Sequence, residues 1–169
     1  MLVHSRKRRS GFTLMEALLA AVILTIAVSS IVMPFTAAAQ QTLENTRQTL
    51  AANLAQEMME EILAQPFNDE DVDWKYVLGP DIGENTRDLF DNMDDYNGYT
   101  EDVGAIQDYS GEVLGDATDA GLSREVEVTY VYVDGQSQAN PPSFLRVTVK
   151  VLHEDQTIVE LSRLVYEVQ

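Results

Sequence analysis

Few side chains in this 169-residue chain are placed to do covalent chemistry. It has no cysteine, so no disulfide, thiolate nucleophile or cysteine-based zinc site is open to it. Its two histidines are His4, near the start, and His153, inside a strand pattern with no serine partner that the sequence singles out. No phosphate-binding glycine loop and no zinc pattern occurs. The chain is therefore expected not to be an enzyme, with no catalytic residue and no cofactor. The densest set of possible ligands is Asp91-Asn92-Met93-Asp94-Asp95-Tyr96-Asn97-Gly98-Tyr99-Thr100-Glu101-Asp102. Carboxylates and amide oxygens around a glycine turn suit calcium, which makes Asp94, Asp95, Asn97, Glu101 and Asp102 the candidate metal ligands. The spacing is not that of an EF-hand: with Gly98 as the loop glycine, Met93 falls at the first ligand position and Gly104 at the last. The alternative is a solvated acidic turn whose Tyr96 and Tyr99 pack inward.

A second carboxylate stands out by its surroundings. Glu16 lies two positions into an apolar run from Leu14 to Phe35. As a helix those residues span roughly 33 Å, enough to cross a membrane. An uncompensated carboxylate deep in a bilayer costs on the order of 3 kcal/mol. Glu16 therefore either snorkels to the headgroups or meets a positive group from another chain. The basic cluster Arg6-Lys7-Arg8-Arg9 precedes the run and should stay cytoplasmic, which places everything after the span outside.

These residues also carry a resemblance. Gly11-Phe12-Thr13-Leu14-Met15-Glu16 after a short basic leader resembles the prepilin cleavage and methylation motif of type IV pilins and type II secretion pseudopilins. The resemblance implies cleavage between Gly11 and Phe12 by prepilin peptidase and N-methylation of Phe12. It also makes Glu16 the assembly residue, its carboxylate neutralised by the freed amine of a neighbouring subunit. The implied partners are other pilin or pseudopilin subunits, the peptidase and an inner-membrane assembly platform. Asn53-Leu54-Ala55-Gln56-Glu57-Met58-Met59-Glu60-Glu61-Ile62-Leu63 followed by Pro66-Phe67 is similar to accessory subunits of the PilV and MSHA-biogenesis D types. The implied function is a minor pilin or pseudopilin of a type IV pilus or type II secretion pseudopilus. A rival is an ordinary signal peptide cut near Ala39, at Thr36-Ala37-Ala38-Ala39-Gln40, releasing a soluble acidic protein.

The remaining chain must position these groups. After Phe35 the sequence favours helix to about Gln65, with Leu43, Leu50, Leu54, Met58 and Ile62 forming one apolar stripe beside Ala51 and Ala55. Pro34 interrupts the rod and Pro66 ends it. The resulting organisation is a leader over 1–11, a membrane helix over 12–35, an amphipathic helix over 36–66, an acidic loop region over 67–121 and an antiparallel sheet over 122–169. Within the loop region, Trp74, Tyr76, Val77, Leu78, Leu89, Phe90 and Met93 are expected to tuck onto the core. In the sheet region, Val126, Val128, Tyr130 and Tyr132 share one strand face, and Leu145, Val147, Val149 and Val151 share another. A third strand follows from Thr157 to Val168. The fold class is α+β and pilin-like, a long N-terminal helix packed on a C-terminal antiparallel sheet.

Charge narrows the partners further. The net charge is −17, and the part from Phe12 onward holds 7 basic and 28 acidic residues, a net of −21. Such a surface repels phosphate backbones, so nucleic acid is not an expected partner. The acids concentrate in residues 67–121, which hold sixteen Asp and Glu against only Lys75 and Arg87.

Overall fold

The computed structural model describes residues 11–67, 77–137 and 142–166. Trp74 and Tyr76, expected on the core, lie outside the described residues, as do Arg6 to Arg9. Clustering of contacts divides the chain into two units, residues 1–44 and residues 45–169.

A single helix, α1, runs over Leu14–Ala64. Residues rich in Ala, Leu, Gln and Glu favour it throughout, and its backbone continues through Pro34. It ends because Pro66 cannot supply the next donor; the Gln65 N–H turns back to the Ile62 carbonyl at 3.1 Å. Residues 11–43 are exposed in the isolated chain. Within the second unit, Ala51, Leu54, Ala55, Met58, Met59 and Ile62 are buried and Leu50 packs against them. The expected stripe thus begins at Leu50 instead of Leu43, which stays exposed, and it gains Met59.

The sheet has four antiparallel strands in the order β1 (Thr100–Glu101), β2 (Leu122–Val131), β3 (Phe144–His153) and β4 (Gln156–Val165). The first of these comes from the acidic region, so the sheet takes in residues before Leu122. Alternation sets the buried face: Leu122, Val126 and Val128 on β2 stand with Leu145, Val147, Val149 and Val151 on β3. Burying each of these side chains contributes about 1.5–3 kcal/mol. Tyr130 is only half-buried, and Tyr132 lies just past the strand end. The β3–β4 turn is Glu154-Asp155, both left-handed at φ 50° and 61°, as a two-residue hairpin turn of the I′ type requires.

The region between α1 and β2 is anchored in spite of its charge. It contains two 3-10 turns, Arg87–Leu89 and Asp94–Tyr96, and a short helix, α2 (Gly115–Asp119). Phe90, Met93, Tyr96 and Ile106 are buried, with Phe90, Tyr96 and Tyr99 meeting edge to face at 5.0–6.3 Å. Val77, Leu78 and Leu89 remain exposed.

Two arginines hold this segment to the helix and sheet. Arg124 on β2 is 1% exposed. Its Nε donates to Glu101 at 2.5 Å, Nη1 to the Leu54 carbonyl of α1 at 3.1 Å and Nη2 to the Gln107 carbonyl at 3.1 Å. Arg87 ion-pairs with Glu61 of α1, reaches Glu101 at 3.3 Å and also donates to the Gln107 carbonyl at 3.2 Å. The Tyr96 hydroxyl donates to Glu61 and the Tyr99 hydroxyl to Glu101. Burial raises the Glu61 carboxyl, but its bond and ion pair with Arg87 outweigh that and hold it below the ordinary range. Burial and the adjacent Glu101 push the Tyr99 phenol up to about 12.

Arg124→Met removes the fully buried charge partner of Glu101, leaving that carboxylate to Arg87 and Tyr99, and is expected to cost about 3–5 kcal/mol. Amide exchange in β2 of the full chain in detergent measures this, and Glu101→Leu in the same chain should restore part of the loss. Loss unchanged by the second substitution would show that Arg124 acts through packing alone. A pH effect follows from Glu61. Its folded pKa lies below the unfolded one, so its stabilisation is present above the unfolded carboxylate range and disappears as pH falls through the folded value. Glu61→Gln should therefore lower stability at pH 7 and make acid unfolding less steep; an acid limb of wild-type slope would exclude that contribution.

Candidate functional site

The N-terminal motif divides at the start of α1. Gly11, Phe12 and Thr13 precede the helix and are exposed, so the Gly11–Phe12 peptide bond lies in non-helical backbone. Thr13 caps the helix: its Oγ1 accepts the Glu16 N–H at 3.2 Å, and its carbonyl accepts from Glu16 and Ala17 at 3.1 Å. Thr13 and Glu16 stand in the S/T-x-x-E relation of a capping box, with the glutamate in the first turn where the helix dipole favours negative charge. The cap was missed in the sequence, although threonine three residues before glutamate at the head of an apolar run is its signature. One short stretch thus carries the expected scissile bond, the helix start and the carboxylate Glu16.

Along the apolar part of α1 the polar side chains turn back on the helix. Thr25 bonds the Ala21 carbonyl at 2.8 Å, Ser29 that of Thr25 at 2.9 Å, and Ser30 that of Ala27 at 2.8 Å. Their hydroxyls are satisfied internally, which membrane hydrocarbon demands. The helix is long and apolar enough to cross a membrane, and Leu14, Met15, Leu18 and Leu19 are among its exposed apolar side chains.

The five expected metal ligands are used separately. Asp94 is buried and accepts from the Tyr130 hydroxyl, while Asn97 Oδ1 accepts the Val128 N–H at 3.1 Å. Glu101 belongs to the two arginines, and Asp102 is exposed. Asp95, 1% exposed, caps its own turn by accepting the Asp91 and Asn92 N–H groups at 3.0 and 3.1 Å. Among the described residues, the acids with carboxylate oxygens within 4.8 Å of one another are Glu84, Asp91 and Asp95. Only Asp95 is shared with the expected set. Burial and neighbouring carboxylates hold Asp95 and Glu84 above their ordinary range, the mark of acids brought together. Tyr96 is buried and Tyr99 half-buried, but Asp94, Asp95 and Glu101 are buried too, so the turn is not the solvated one of the alternative.

An open groove of about 780 Å³ lies beside Arg87, bordered by Gln65, Tyr99, Asp108 and Tyr109. The Asp108 carboxylate is occupied in its own turn, accepting from Ser110 and Glu112. The remaining histidine, His153, closes β3 beside Gly121 and is half-buried.

The family model for the prokaryotic N-terminal methylation motif matches residues 6–32. No curated protein and no solved structure matches the chain. The match supports a substrate of prepilin peptidase that assembles with other pilin subunits, and with the apolar helix it fits anchoring in the inner membrane. The methylation motif at the head of a long apolar helix, and that helix's later turns packed on a four-stranded antiparallel sheet, together support a type IV pilin-like protein.

Proposed function

We propose that the chain is a minor pilin or pseudopilin, a structural subunit of a type IV pilus or type II secretion pseudopilus. The methylation motif carries the reading, since its scissile bond lies in exposed backbone immediately before the helix cap. Cleavage after Gly11 would free an amine at Phe12, and that amine, N-methylated, would begin the mature subunit. The basic leader stays cytoplasmic and the sheet-bearing unit is periplasmic, following the charge bias across the span. An assembly platform in the inner membrane then extracts the helix into a filament, where each Glu16 meets the Phe12 amine of a neighbour. The likeness of residues 53–63 to PilV and MSHA-biogenesis D types favours an accessory place in that filament.

The signal-peptide alternative is disfavoured by α1 itself. Residues 36–40 are helical within an unbroken Leu14–Ala64 helix, whereas cleavage near Ala39 needs extended backbone.

N-terminal mass spectrometry of the protein from its native membrane should find N-methylated Phe12 as the first residue. A chain beginning at Gln40 would overturn the filament reading. For Glu16, the cap and the charge can be separated. Glu16→Gln keeps an N3 side chain able to complete the capping box but removes the charge. The variant should insert normally yet enter filaments several-fold less than wild type, because the neighbouring amine loses its partner. Wild-type incorporation would leave Glu16 with a role only in starting the helix.

A further inference from the structure

The two edges of the sheet differ. At one side β1 is only two residues long. At the other, β4 presents ten residues, and among the described residues no strand pairs with its outer edge. A long exposed edge is a template for another strand, so proteins usually shorten, charge or cover it. Here the edge is not short, and no described strand covers it.

Register gives β4 two distinct faces. Val159, Leu161, Arg163 and Val165 lie opposite Val151, Val149, Val147 and Leu145, so they share the face that packs on α1. Yet Val159, Leu161 and Val165 are only half-buried, while their β3 partners are fully buried. Ile158 is the extra residue where the register shifts, which twists the start of the strand. The core-side face of the edge therefore keeps an apolar strip that is incompletely covered.

Arg163 interrupts that strip. It is exposed, and among the described residues it has no ion pair or hydrogen bond. Arg146 is likewise exposed and without an ion pair, on the opposite face, where it stands across from Leu164 beside Arg163. In a chain of −21 after the leader, an uncommitted cation on the edge strand, with a second on the neighbouring strand β3, forms a local exception. A charge pointing to the core side repels an arbitrary apolar strand but pays little toll when the incoming strand brings a carboxylate.

We propose that the free edge of β4 receives an extended segment of a neighbouring filament subunit, which adds a strand and places an Asp or Glu against Arg163. Backbone hydrogen bonds supply the pairing, the strip Val159, Leu161 and Val165 supplies apolar contact, and Arg163 selects an acidic partner. The inference rests on the filament reading above, and the test separates the two.

Because the chain is free of cysteine, Ser162→Cys creates a single thiol on the exposed outer face of the edge strand. The full-length variant is labelled with a maleimide in its native membrane and again in purified filaments, with Glu112→Cys, in an exposed loop, as reference. Labelling at position 162 should fall several-fold on assembly while labelling at position 112 does not. Arg163→Glu should reach the membrane at wild-type level but lose several-fold in filament content, and Arg163→Lys should retain it. Equal labelling at position 162 in membrane and filament, or wild-type incorporation of Arg163→Glu, overturns the edge-docking proposal alone. Absence of the unmodified chain from filaments overturns it together with the filament reading.

Discussion

The domain depends on one buried cation. Arg124 is enclosed on β2, where the alternation of Leu122, Val126 and Val128 otherwise puts apolar side chains. A guanidinium there is tolerable only because its donors meet Glu101 of β1 and the carbonyls of Leu54 and Gln107. Those partners belong to the sheet edge, the helix and the acidic segment. One side chain therefore fixes three pieces of chain that hydrophobic contact alone would leave free to slide. Arg87 repeats the arrangement from the other direction, joining the acidic segment to Glu61 on α1. With no cysteine available, these ion pairs do the cross-linking that disulfides perform in many exported domains.

The same constraint explains how so acidic a region can be ordered. Self-repulsion in residues 77–121 opposes compaction. Backbone N–H groups offset part of it: Asp95 accepts two of them and Asp108 two more. Others are met by hydroxyls, as Asp94 is by Tyr130 and Glu101 by Tyr99. What remains is the Glu84, Asp91 and Asp95 group, in which burial and then the neighbouring carboxylates hold Glu84 and Asp95 above their ordinary range.

Much of this architecture is legible in sequence because it follows from periodicity. The apolar run from Leu14, the spacing of Leu54, Met58 and Ile62, and the alternation through Val126–Val128 and Leu145–Val151 each point to the element observed. The N-terminal motif is legible because it is local, with residue types and spacing confined to a few positions. The acidic segment is different. Its β1 strand is two residues long, too short for alternation to register, and it pairs with β2 more than twenty positions away. Asp94, Asp95, Asn97, Glu101 and Asp102 look like one ligand set in sequence because they are near neighbours there. In space, three of them are drawn to donors that composition cannot place, Asp94 to Tyr130, Asn97 to the Val128 amide and Glu101 to Arg87 and Arg124, while Asp95 caps its own turn and Asp102 is exposed. Arg124 is the hardest to foresee, because a charged residue in an inward strand position reads as a register error until its partners are known.

Charge distribution links these local solutions to assembly. Beyond the leader the described basic side chains are few, and most serve the fold: Arg87 and Arg124 in the core network, Arg47 on the Ala120 carbonyl, Lys150 on Glu127. A buried pair such as Arg124–Glu101 is committed once, because opening it strands two charges in a low dielectric. An exposed cation has no such commitment and keeps nearly its full attraction for an incoming carboxylate until water leaves the interface. Arg163 on the edge strand β4 and Arg146 on the neighbouring strand β3 are of the second kind. Copies of so acidic a domain repel one another at a distance, which disfavours indiscriminate association. Close approach then becomes favourable only where local geometry reverses the sign. On this domain the exposed Arg163 at the strand edge offers such a place, and in the proposed filament the pairing of a freed Phe12 amine with Glu16 would offer another. In that proposal both charges are left without a partner by the folded chain, which is the condition for a subunit that binds in one arrangement.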